Sequence, residues 1–307
     1  MGEIGGVLAA VLSSGLGGTS IGATRYLVGA IDPFAIGSFR FGIGFLLLLP
    51  LAVLRGGASP VRRDWLATAW LGVLYFAVFP VLFNASLIFT TAARGALALS
   101  TLPLLTMVVG ALLGSEALTT RKTVGVLIAV FGVAMALLSG LRSAPEGAWR
   151  GDLMMVIAAL CMALYSIWSK PIIRRAGPIP FTAAAMGVGA ACLMLISWWH
   201  GSFAPVSGFS VSQWLGAIYL GVFGAALTFY LWAFALDRTT PTRVAISVTV
   251  NPITASLVGV VLLNEPLHWN LAAGIAAVFV GIFIATTTGR LKRVDIADHH
   301  AAFDRFL

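Results

Sequence analysis

The sequence predicts an all-α integral membrane protein with ten transmembrane helices, arranged as two inverted five-helix repeats. Three observations lead to this fold class: the apolar composition, an internal sequence repeat and the distribution of basic residues. Hydrophobic residues make up 59% of the chain, charged residues 10%, and the mean hydropathy is +0.98. Uncharged apolar runs of about twenty residues, the length that spans a bilayer, recur along the whole chain. A soluble core does not require so much apolar sequence.

The internal repeat relates residues 65–132 to the segment that lies 149 positions later. The matched positions are Trp65/Trp214, Leu71/Leu220, Gly72/Gly221, Val73/Val222, Thr91/Thr240, Arg94/Arg243, Pro103/Pro252, Gly110/Gly259, Glu116/Glu265, Leu118/Leu267, Gly125/Gly274 and Gly132/Gly281. One offset held over this length indicates a duplication. Many transporters are built from such repeats, with the substrate site near the membrane midplane where the repeats meet. We therefore expect the functional site at the boundary between the two copies.

Charged or Pro/Gly-rich breaks divide the first half of the chain into five predicted helices. The first apolar run has no basic segment before it and continues into further spans, which argues against a cleaved signal peptide. The basic pair Arg62-Arg63 precedes the third span, and the pair Arg121-Lys122 lies at the beginning of the fifth. The five predicted helices cover residues 4–26, 33–54, 65–89, 93–113 and 122–141.

The second half repeats this arrangement. No charged residue occurs between positions 176 and 236, but Gly177–Pro180 and the Gly/Ser/Pro-rich stretch 201–212 divide this region into two helices. The predicted helices of the second half cover residues 152–172, 181–199, 213–236, 242–262 and 270–288.

The basic residues predict the orientation, because cytoplasmic loops collect Lys and Arg. With the N-terminus in the cytoplasm, fourteen Lys and Arg fall on the cytoplasmic side, and only Arg25, Arg94, Arg142 and Arg150 on the outer side. Both termini are therefore expected in the cytoplasm. Each repeat has an odd number of helices, so the second copy is upside down relative to the first. The predicted units are a first repeat at 1–145, a second at 146–290 and a short cytoplasmic tail at 291–307.

Several segments together resemble a known family. They are Ser38–Phe41 in the second span, Arg94–Pro103 leading to Gly114–Leu118, and Arg243–Pro252 leading to Asn264–Leu267. Over residues 5–288 this pattern resembles the EamA-type members of the drug/metabolite transporter superfamily, which have two five-helix repeats. The resemblance implies a secondary carrier for small metabolites, often an exporter, such as an aromatic amino acid exporter of the bacterial inner membrane. It does not by itself name the substrate.

Pro103 and Pro252 lie at the midpoints of the fourth and ninth predicted spans. A proline there lacks the backbone N–H and leaves the carbonyls of Leu99 and Val248 without a helical partner. Both helices are expected to bend, either as static kinks or as moving hinges. Their symmetry favours hinges, because alternating access needs the same bend in each repeat.

Arg40 is the one clear cation inside a predicted span, nearer the outer face. A charge at membrane depth costs about 2.5–3.5 kcal/mol on insertion scales. Arg40 therefore either receives a substrate carboxylate or caps backbone carbonyls of a neighbouring helix. Its place in a family-wide pattern, while family substrates vary, favours the structural role.

The acidic residues argue against a carboxylate proton switch. None of the eleven Asp and Glu lies in the central half of a predicted span. Proton-coupled relatives in the small multidrug resistance family use a carboxylate in the first helix, where this chain offers only Ser13, Ser14, Thr19 and Ser20. We expect facilitated diffusion or weak coupling.

A candidate cavity follows from the polar and aromatic residues expected to face inward near mid-depth. Such a lining is mostly apolar with a few hydrogen-bonding groups, which suits aromatic or large neutral amino acids. An aromatic residue at membrane depth more often serves packing, so each candidate has a structural alternative. The candidate substrate-binding residues are Ser13, Ser20, Arg40, Tyr75, Phe79, Asn84, Tyr165, Trp168, Ser169, Tyr230, Trp232 and Asn251.

The predicted function is transport of small organic metabolites, with amino-acid export by alternating access as the leading hypothesis. Efflux of cationic or lipophilic drugs is the alternative, which the lack of a midplane carboxylate disfavours. A sugar-phosphate carrier would present several basic residues, and a membrane enzyme would need a nucleophile–base pair or metal ligands. The histidines, His200, His268, His299 and His300, lie at span ends or in the tail.

The expected partners are a small-molecule substrate and the lipid bilayer. The basic residues are scattered over loops and form no basic stripe interleaved with aromatics, so nucleic acid is not expected. No cofactor or metal is expected, because no His, Cys or carboxylate cluster has ligand spacing. Gly125/Gly132 and Gly274/Gly281 put small residues on one helix face, which suits close helix packing. The protein is expected to be a monomer, with a homodimer through these helices as the alternative.

Overall fold

The computed structural model describes residues 2–54, 62–115, 119–139 and 145–263, together with residues 269, 273, 276, 277, 280 and 284. Within these residues the regular secondary structure is entirely helical. The nine long helices of this part are α1 (Gly2–Leu27), α2 (Pro33–Leu54), α3 (Trp65–Phe89), α4 (Ala92–Leu112), α5 (Thr120–Ser139), α6 (Ala148–Ala176), α7 (Pro178–His200), α8 (Val211–Arg238) and α9 (Pro241–Leu262). Two short 3₁₀ helices, Arg62–Asp64 and Ala204–Gly208, precede α3 and α8.

Eight of these helices, all except α5, are long and apolar enough to cross a membrane. The remaining helix, α5, contains the shorter apolar segment Thr123–Gly132. The predicted helical membrane fold is thereby confirmed, and the first nine predicted spans match observed helices within a few residues. The predicted tenth span, 270–288, and the tail, 291–307, lie outside the continuously described residues.

Local sequence signals explain where several helices begin. The Thr91 hydroxyl accepts the N–H of Arg94 at 3.3 Å at the start of α4. The Thr240 hydroxyl accepts the N–H of Arg243 at 3.4 Å at the start of α9, so the two repeats use the same N-cap. Gly177, with a φ of +86°, separates α6 from α7 in a conformation that favours glycine.

Four helices are irregular at positions that correspond between the repeats. A π-helical turn occupies Leu74–Val78 in α3 and Val222–Leu227 in α8. A turn at positions 100–101 breaks α4, and a 3₁₀ turn at Val248–Val250 interrupts α9. Such departures from α geometry often occur at functional sites and in the discontinuous helices of transporters.

The first helix of each repeat packs against helices of the other repeat. Helix α1 packs against α8 and α9, which are the third and fourth helices of the other copy. Helix α6 packs in the same way against α3 and α4, and α2 packs along α7. The third helices also cross over, because α3 contacts α7 and α8 contacts α2. The boundary between the repeats therefore runs through the middle of the molecule.

Close backbone approach at these crossings depends on a repeat-related pair of glycines. A Cβ added at Gly72 in α3 would lie 2.4 Å from the carbonyl oxygen of Ala185 in α7. A Cβ added at Gly221 in α8 would lie 2.4 Å from the Cβ of Ile43 in α2. Small residues at helix crossings allow such contacts in membrane proteins.

We predict that Gly72→Ala lowers the thermal stability of the protein in detergent. The added methyl group meets backbone atoms that cannot rotate away, and overpacking of this kind costs about 1–3 kcal/mol. Gly15→Ala in α1 is the matched control, because a Cβ there has nothing within 4 Å. The monodisperse fraction after heating measures the effect, and equal midpoints for the two variants would contradict the described crossing.

Candidate functional site

A cavity lies at the centre of the molecule, between helices of both repeats. Its volume is about 40 Å³, room for about three water molecules. The helices around it are α1, α2, α3, α4, α6, α8 and α9. The lining residues are Ser13, Ser14, Gly17, Arg40, Tyr75, Phe79, Phe83, Leu99, Met162, Thr228, Phe229, Trp232, Val248 and Asn251.

Many lining residues are partners under the 149-residue offset of the internal repeat. Both members of four such pairs lie on the cavity wall, so the cavity sits where the two repeats meet. This position agrees with the expected midplane site of transporters built from repeats. The pairs are Ser13/Met162, Phe79/Thr228, Phe83/Trp232 and Leu99/Val248.

The interrupted helices α4 and α9 reach the cavity at their breaks. Leu99 and Val248 line the cavity, and each stands four residues before a proline, Pro103 or Pro252. The N–H of Asn251 donates to the Val248 carbonyl in the 3₁₀ turn, which gives that carbonyl a partner that Pro252 cannot supply. The interruptions of α4 and α9, close to Pro103 and Pro252, therefore lie beside the cavity.

Arg40 links α2 to the π-helical turn of α8. Its side chain is 3% exposed, and its Nε and Nη2 donate to the carbonyl oxygen of Gly224 at 3.0 and 2.7 Å. The guanidinium carbon lies 5.4 Å from the ring centroid of Phe41 and 5.7 Å from those of Phe83 and Phe229. The contact with Gly224 is the carbonyl-capping arrangement expected for a structural role, and the three rings help to stabilise the buried charge.

Four buried polar atoms at the cavity have no hydrogen-bond partner in the protein. They are Arg40 Nη1, the Tyr75 hydroxyl, Trp232 Nε1 and Asn251 Oδ1. A buried polar group without a partner costs free energy, and most such groups in folded proteins are paired. Other buried polar atoms without a partner, such as Thr68 Oγ1, belong to residues away from the cavity. An occupant with hydrogen-bonding groups would supply partners for the four atoms of the lining residues.

A polar seam holds α1 against the second repeat beside the cavity. The Ser13 hydroxyl donates to the Thr228 carbonyl at 2.8 Å. The hydroxyls of Ser14 and Ser247 share a hydrogen bond of 2.8 Å, and Ser247 also donates to the Ala10 carbonyl at 3.0 Å. These contacts place the α1 serines at the repeat boundary.

The structure brings together half of the sequence-predicted site residues. Ser13, Arg40, Tyr75, Phe79, Trp232 and Asn251 line the cavity. Ser20 lies one turn beyond Gly17 in α1 and donates to the Leu16 carbonyl at 2.7 Å.

The other five predicted residues also lie outside the lining. Asn84 Nδ2 donates to the Pro33 carbonyl at 2.9 Å, so it joins α3 to α2. Tyr165 stacks on Tyr75 at a centroid distance of 4.0 Å, directly behind the cavity wall. Trp168 is half-buried and packs against the core, Ser169 is buried, and Tyr230 lies 6.0 Å from the Phe234 ring.

Sequence reasoning missed several lining residues that the repeat offset could have found. Adding or subtracting 149 positions from Ser13, Phe79 and Trp232 gives Met162, Thr228 and Phe83, and all three line the cavity. Gly17, Ser14 and Phe229 carry no such signal, because their repeat equivalents do not line it.

Among the described residues, three ion pairs join the repeats away from the cavity: Asp64–Arg175 at 2.9 Å, and two pairs that the repeat offset relates. Arg94 Nη2 lies 2.5 Å from Asp152 Oδ2, and the Thr90 hydroxyl lies 3.4 Å from the other oxygen of the same carboxylate. Arg243 pairs with Glu3. The two arginines are related by the repeat offset, and so are the two carboxylates. Each of these two equivalent pairs therefore ties the beginning of a fourth helix, α4 or α9, to the first helix of the other repeat.

The course of the chain places these pairs on opposite faces of the membrane. Helices α1 to α3 cross in turn, so α4 begins on the face opposite to the start of α1. The contact of α4 with the start of α6 requires α5 to cross as well. Three further crossings return the start of α9 to the face where α1 begins, and there Arg243 meets Glu3.

Comparison with known proteins supplies independent findings. The sequence model described as the EamA-like transporter family matches residues 4–138 and again residues 149–287. A protein of Archaeoglobus fulgidus named "uncharacterized transporter" is 26% identical over 272 residues, which cover 87% of this chain and 93% of that protein. The Bacillus subtilis protein named "uncharacterized transporter YyaM" is 20% identical, covering 92% of this chain and 94% of the relative.

A solved crystal structure has the same fold. It superposes with a TM-score of 0.71 at 23% sequence identity and covers 92% of this chain and 96% of its own. The two sequence relatives and the solved structure therefore each match this chain over most of its length and over most of their own.

We predict that Tyr75→Phe stabilises the protein in the absence of substrate. Removing an unpaired buried hydroxyl removes its desolvation cost, about 1–3 kcal/mol. Tyr26→Phe is the control, because the Tyr26 hydroxyl is exposed and already shares a 2.9 Å hydrogen bond with Ser212. Thermal unfolding in detergent measures the difference. A lower midpoint for Tyr75→Phe than for Tyr26→Phe would show that the Tyr75 hydroxyl has a stabilising partner.

Proposed function

Because this chain belongs to the EamA-like transporter family, we propose that it exports amino acids across the bacterial inner membrane. Membership makes it a multi-pass membrane transporter of small molecules, and the relatives named as transporters agree. The amino-acid substrate, the direction and the mechanism are the parts that we propose. The observation that carries the proposal is the central cavity at the repeat boundary, with a break in both fourth helices beside it.

The chemistry of the cavity wall favours amino acids among small metabolites. Its described lining is mostly apolar, with serine and threonine hydroxyls, one amide and one guanidinium. A few placed polar groups in an apolar pocket suit a small molecule with a polar end and an apolar body. The lining contains one basic side chain, Arg40, whereas a sugar phosphate calls for several.

Efflux of cationic drugs is less well supported. The described lining contains no carboxylate, and its one charge is positive. A permanent cation would enter a low-dielectric site without a counter-charge and beside a like charge, which is costly. Neutral or zwitterionic substrates avoid this cost.

We propose an alternating-access mechanism in which the two repeat-related ion pairs, Arg94–Asp152 and Arg243–Glu3, close opposite faces of the protein. Arg94–Asp152 closes the face where α4 begins, and Arg243–Glu3 closes the face where α1 begins. Both pairs are formed in this structure. Opening at the face where α4 begins then requires Arg94–Asp152 to separate. Opening at the face where α1 begins requires Arg243–Glu3 to separate, together with Asp64–Arg175, which joins the start of α3 to the end of α6 on that face.

The distribution of basic residues supports the sidedness that we propose. Because cytoplasmic loops collect Lys and Arg, we propose that the start of α1, and with it the Arg243–Glu3 pair, faces the cytoplasm. Arg94–Asp152 then closes the outer face. In the described helices the acidic residues lie at helix ends, so the proposal includes no carboxylate proton switch.

Counterflow in proteoliposomes tests the proposed function. Purified full-length protein is reconstituted, loaded with unlabelled L-phenylalanine, L-leucine or L-alanine, and offered the labelled amino acid outside, with and without a pH gradient. We expect saturable uptake that is greatest for the large apolar amino acids and is unchanged by the gradient. Absence of counterflow for every amino acid would reject the substrate class, and accumulation driven by the pH gradient would reject uncoupled transport.

We predict that Asp152→Asn slows counterflow and that the charge swap Arg94→Asp with Asp152→Arg restores at least part of it. The swap keeps an ion pair at the same place, whereas the single change leaves a partly buried arginine without its carboxylate. A tenfold difference in counterflow rate between the swap and Asp152→Asn corresponds to about 1.4 kcal/mol.

Asp237→Asn is the control for Asp152→Asn. Asp237 pairs with its neighbour Arg238 in an exposed contact within α8 and does not join the repeats. We expect its counterflow to equal that of the unmodified protein, because exposed pairs contribute little. Equal rates for Asp152→Asn and Asp237→Asn would argue against a closing role for the Arg94 pair.

A further inference from the structure

We propose that Arg40, Tyr75 and Trp232 form a carboxylate-binding subsite, so that the substrates include apolar monocarboxylates without an amino group. This inference rests on the proposed transport function and specifies the substrate class of the same cavity. The subsite is defined by Arg40 Nη1, the Tyr75 hydroxyl and Trp232 Nε1, each without a partner in the protein.

The charge of Arg40 is the first argument. The guanidinium is buried inside a membrane helix, and no ion pair involves it among the described residues. Two of its nitrogens are fixed by the Gly224 carbonyl, which holds the side chain in place and leaves Nη1 unpaired at the cavity. The structural role and a binding role therefore use different nitrogen atoms. A buried cation of this kind is strongly stabilised by an anion.

The neutral groups are the second argument. The indole N–H of Trp232 can only donate, and the Tyr75 hydroxyl readily donates. Arg40, Tyr75 and Trp232 are three lining residues of the same cavity whose side chains each hold an unpaired donor. A carboxylate has two oxygens that accept about four hydrogen bonds, and such bonds to an ionised group are strong. These donors match a carboxylate better than they match an ammonium group, which has no acceptor atom.

The asymmetry between the repeats is the third argument. The repeat equivalents of Arg40, Tyr75 and Trp232 are Gly189, Gly224 and Phe83, which lack these donors. The repeat equivalent of Asn251 is Leu102. Equivalent helices of both repeats thus surround the cavity. In each of these four residue pairs, however, only one member has the unpaired polar atom. A substrate with a single polar end fits this arrangement in one orientation.

The amino group has a weaker site. Asn251 Oδ1 is the one unpaired acceptor among the four unpaired side-chain atoms at the cavity, and it is neutral. A neutral amide oxygen contributes less to binding an ammonium than a carboxylate would. We therefore expect removal of the substrate carboxylate to cost more affinity than removal of its amino group.

Three ligands that share one apolar body test this directly: L-phenylalanine, 3-phenylpropanoate and 2-phenylethylamine. Each is used at neutral pH to inhibit L-phenylalanine counterflow by the full-length protein and to raise its thermal midpoint in detergent. We expect the effective concentration of phenylpropanoate to lie within about tenfold of that of phenylalanine. We expect the effective concentration of phenylethylamine to be roughly a hundredfold higher than that of phenylalanine, which corresponds to about 2.8 kcal/mol.

Two conservative variants locate the carboxylate. Trp232→Phe and Tyr75→Phe each keep an aromatic ring and remove one hydrogen-bond donor. We expect each variant to bind phenylpropanoate and phenylalanine about tenfold more weakly, because a hydrogen bond to a charged group is lost. Trp199→Phe is the control, because Trp199 is 88% exposed at the end of α7. Should a variant fail to fold, the ligand series on the unmodified protein still decides the question.

The outcomes separate this inference from the proposed function. If phenylalanine is carried and phenylethylamine inhibits as well as phenylalanine while phenylpropanoate does not, the subsite is rejected and amino-acid transport stands. If both variants bind phenylpropanoate as the unmodified protein does, the placement at Tyr75 and Trp232 is rejected. If the protein neither binds nor carries any of the three ligands, the subsite is rejected together with the proposed amino-acid substrates.

Discussion

In a membrane the backbone N–H and C=O groups of a helix must find hydrogen-bond partners within the protein. The fold described here depends on how it accommodates two helices whose hydrogen bonding is interrupted. The described helices α4 and α9 are interrupted beside Pro103 and Pro252. Irregular backbone at membrane depth is tolerated where it is buried in protein or lines a cavity. The packing of α1 and α6 against helices of the other repeat encloses both breaks, and the cavity lies between them.

Duplication explains both the symmetry and the asymmetry of the site. It places two π turns, two broken helices and two inter-repeat ion pairs at equivalent positions, so that an opening on one face has a counterpart on the other. The side chains within this framework have diverged. Arg40 faces the π turn of α8, whereas its repeat equivalent is Gly189, where even a Cβ would lie 2.3 Å from Phe76 Cβ. In the transport function that we propose, the duplicated framework would provide the movement and the diverged side chains would select the substrate.

The sequence predicted the helices well because bilayer thickness sets their length and charged loops mark their ends. The offset also predicted paired prolines at equivalent depths. The π turns were not predicted, because they depend on tertiary contacts such as the Arg40 bond to Gly224. The cavity was only partly predicted, because side-chain direction around a helix is decided by packing. In α6, Met162 reaches the cavity, whereas Tyr165 packs behind Tyr75.

The most direct test of a transport cavity compares two glycines of α1. Gly17 lines the cavity, and a Cβ added there would lie 3.5 Å from Asn251 Oδ1, whereas a Cβ at Gly15 has nothing within 4 Å. Substrate counterflow is measured for Gly17→Phe and Gly15→Phe in proteoliposomes at equal protein content. Loss of counterflow in Gly17→Phe with retention in Gly15→Phe is the predicted result. Unchanged counterflow in Gly17→Phe would contradict a substrate path through this cavity.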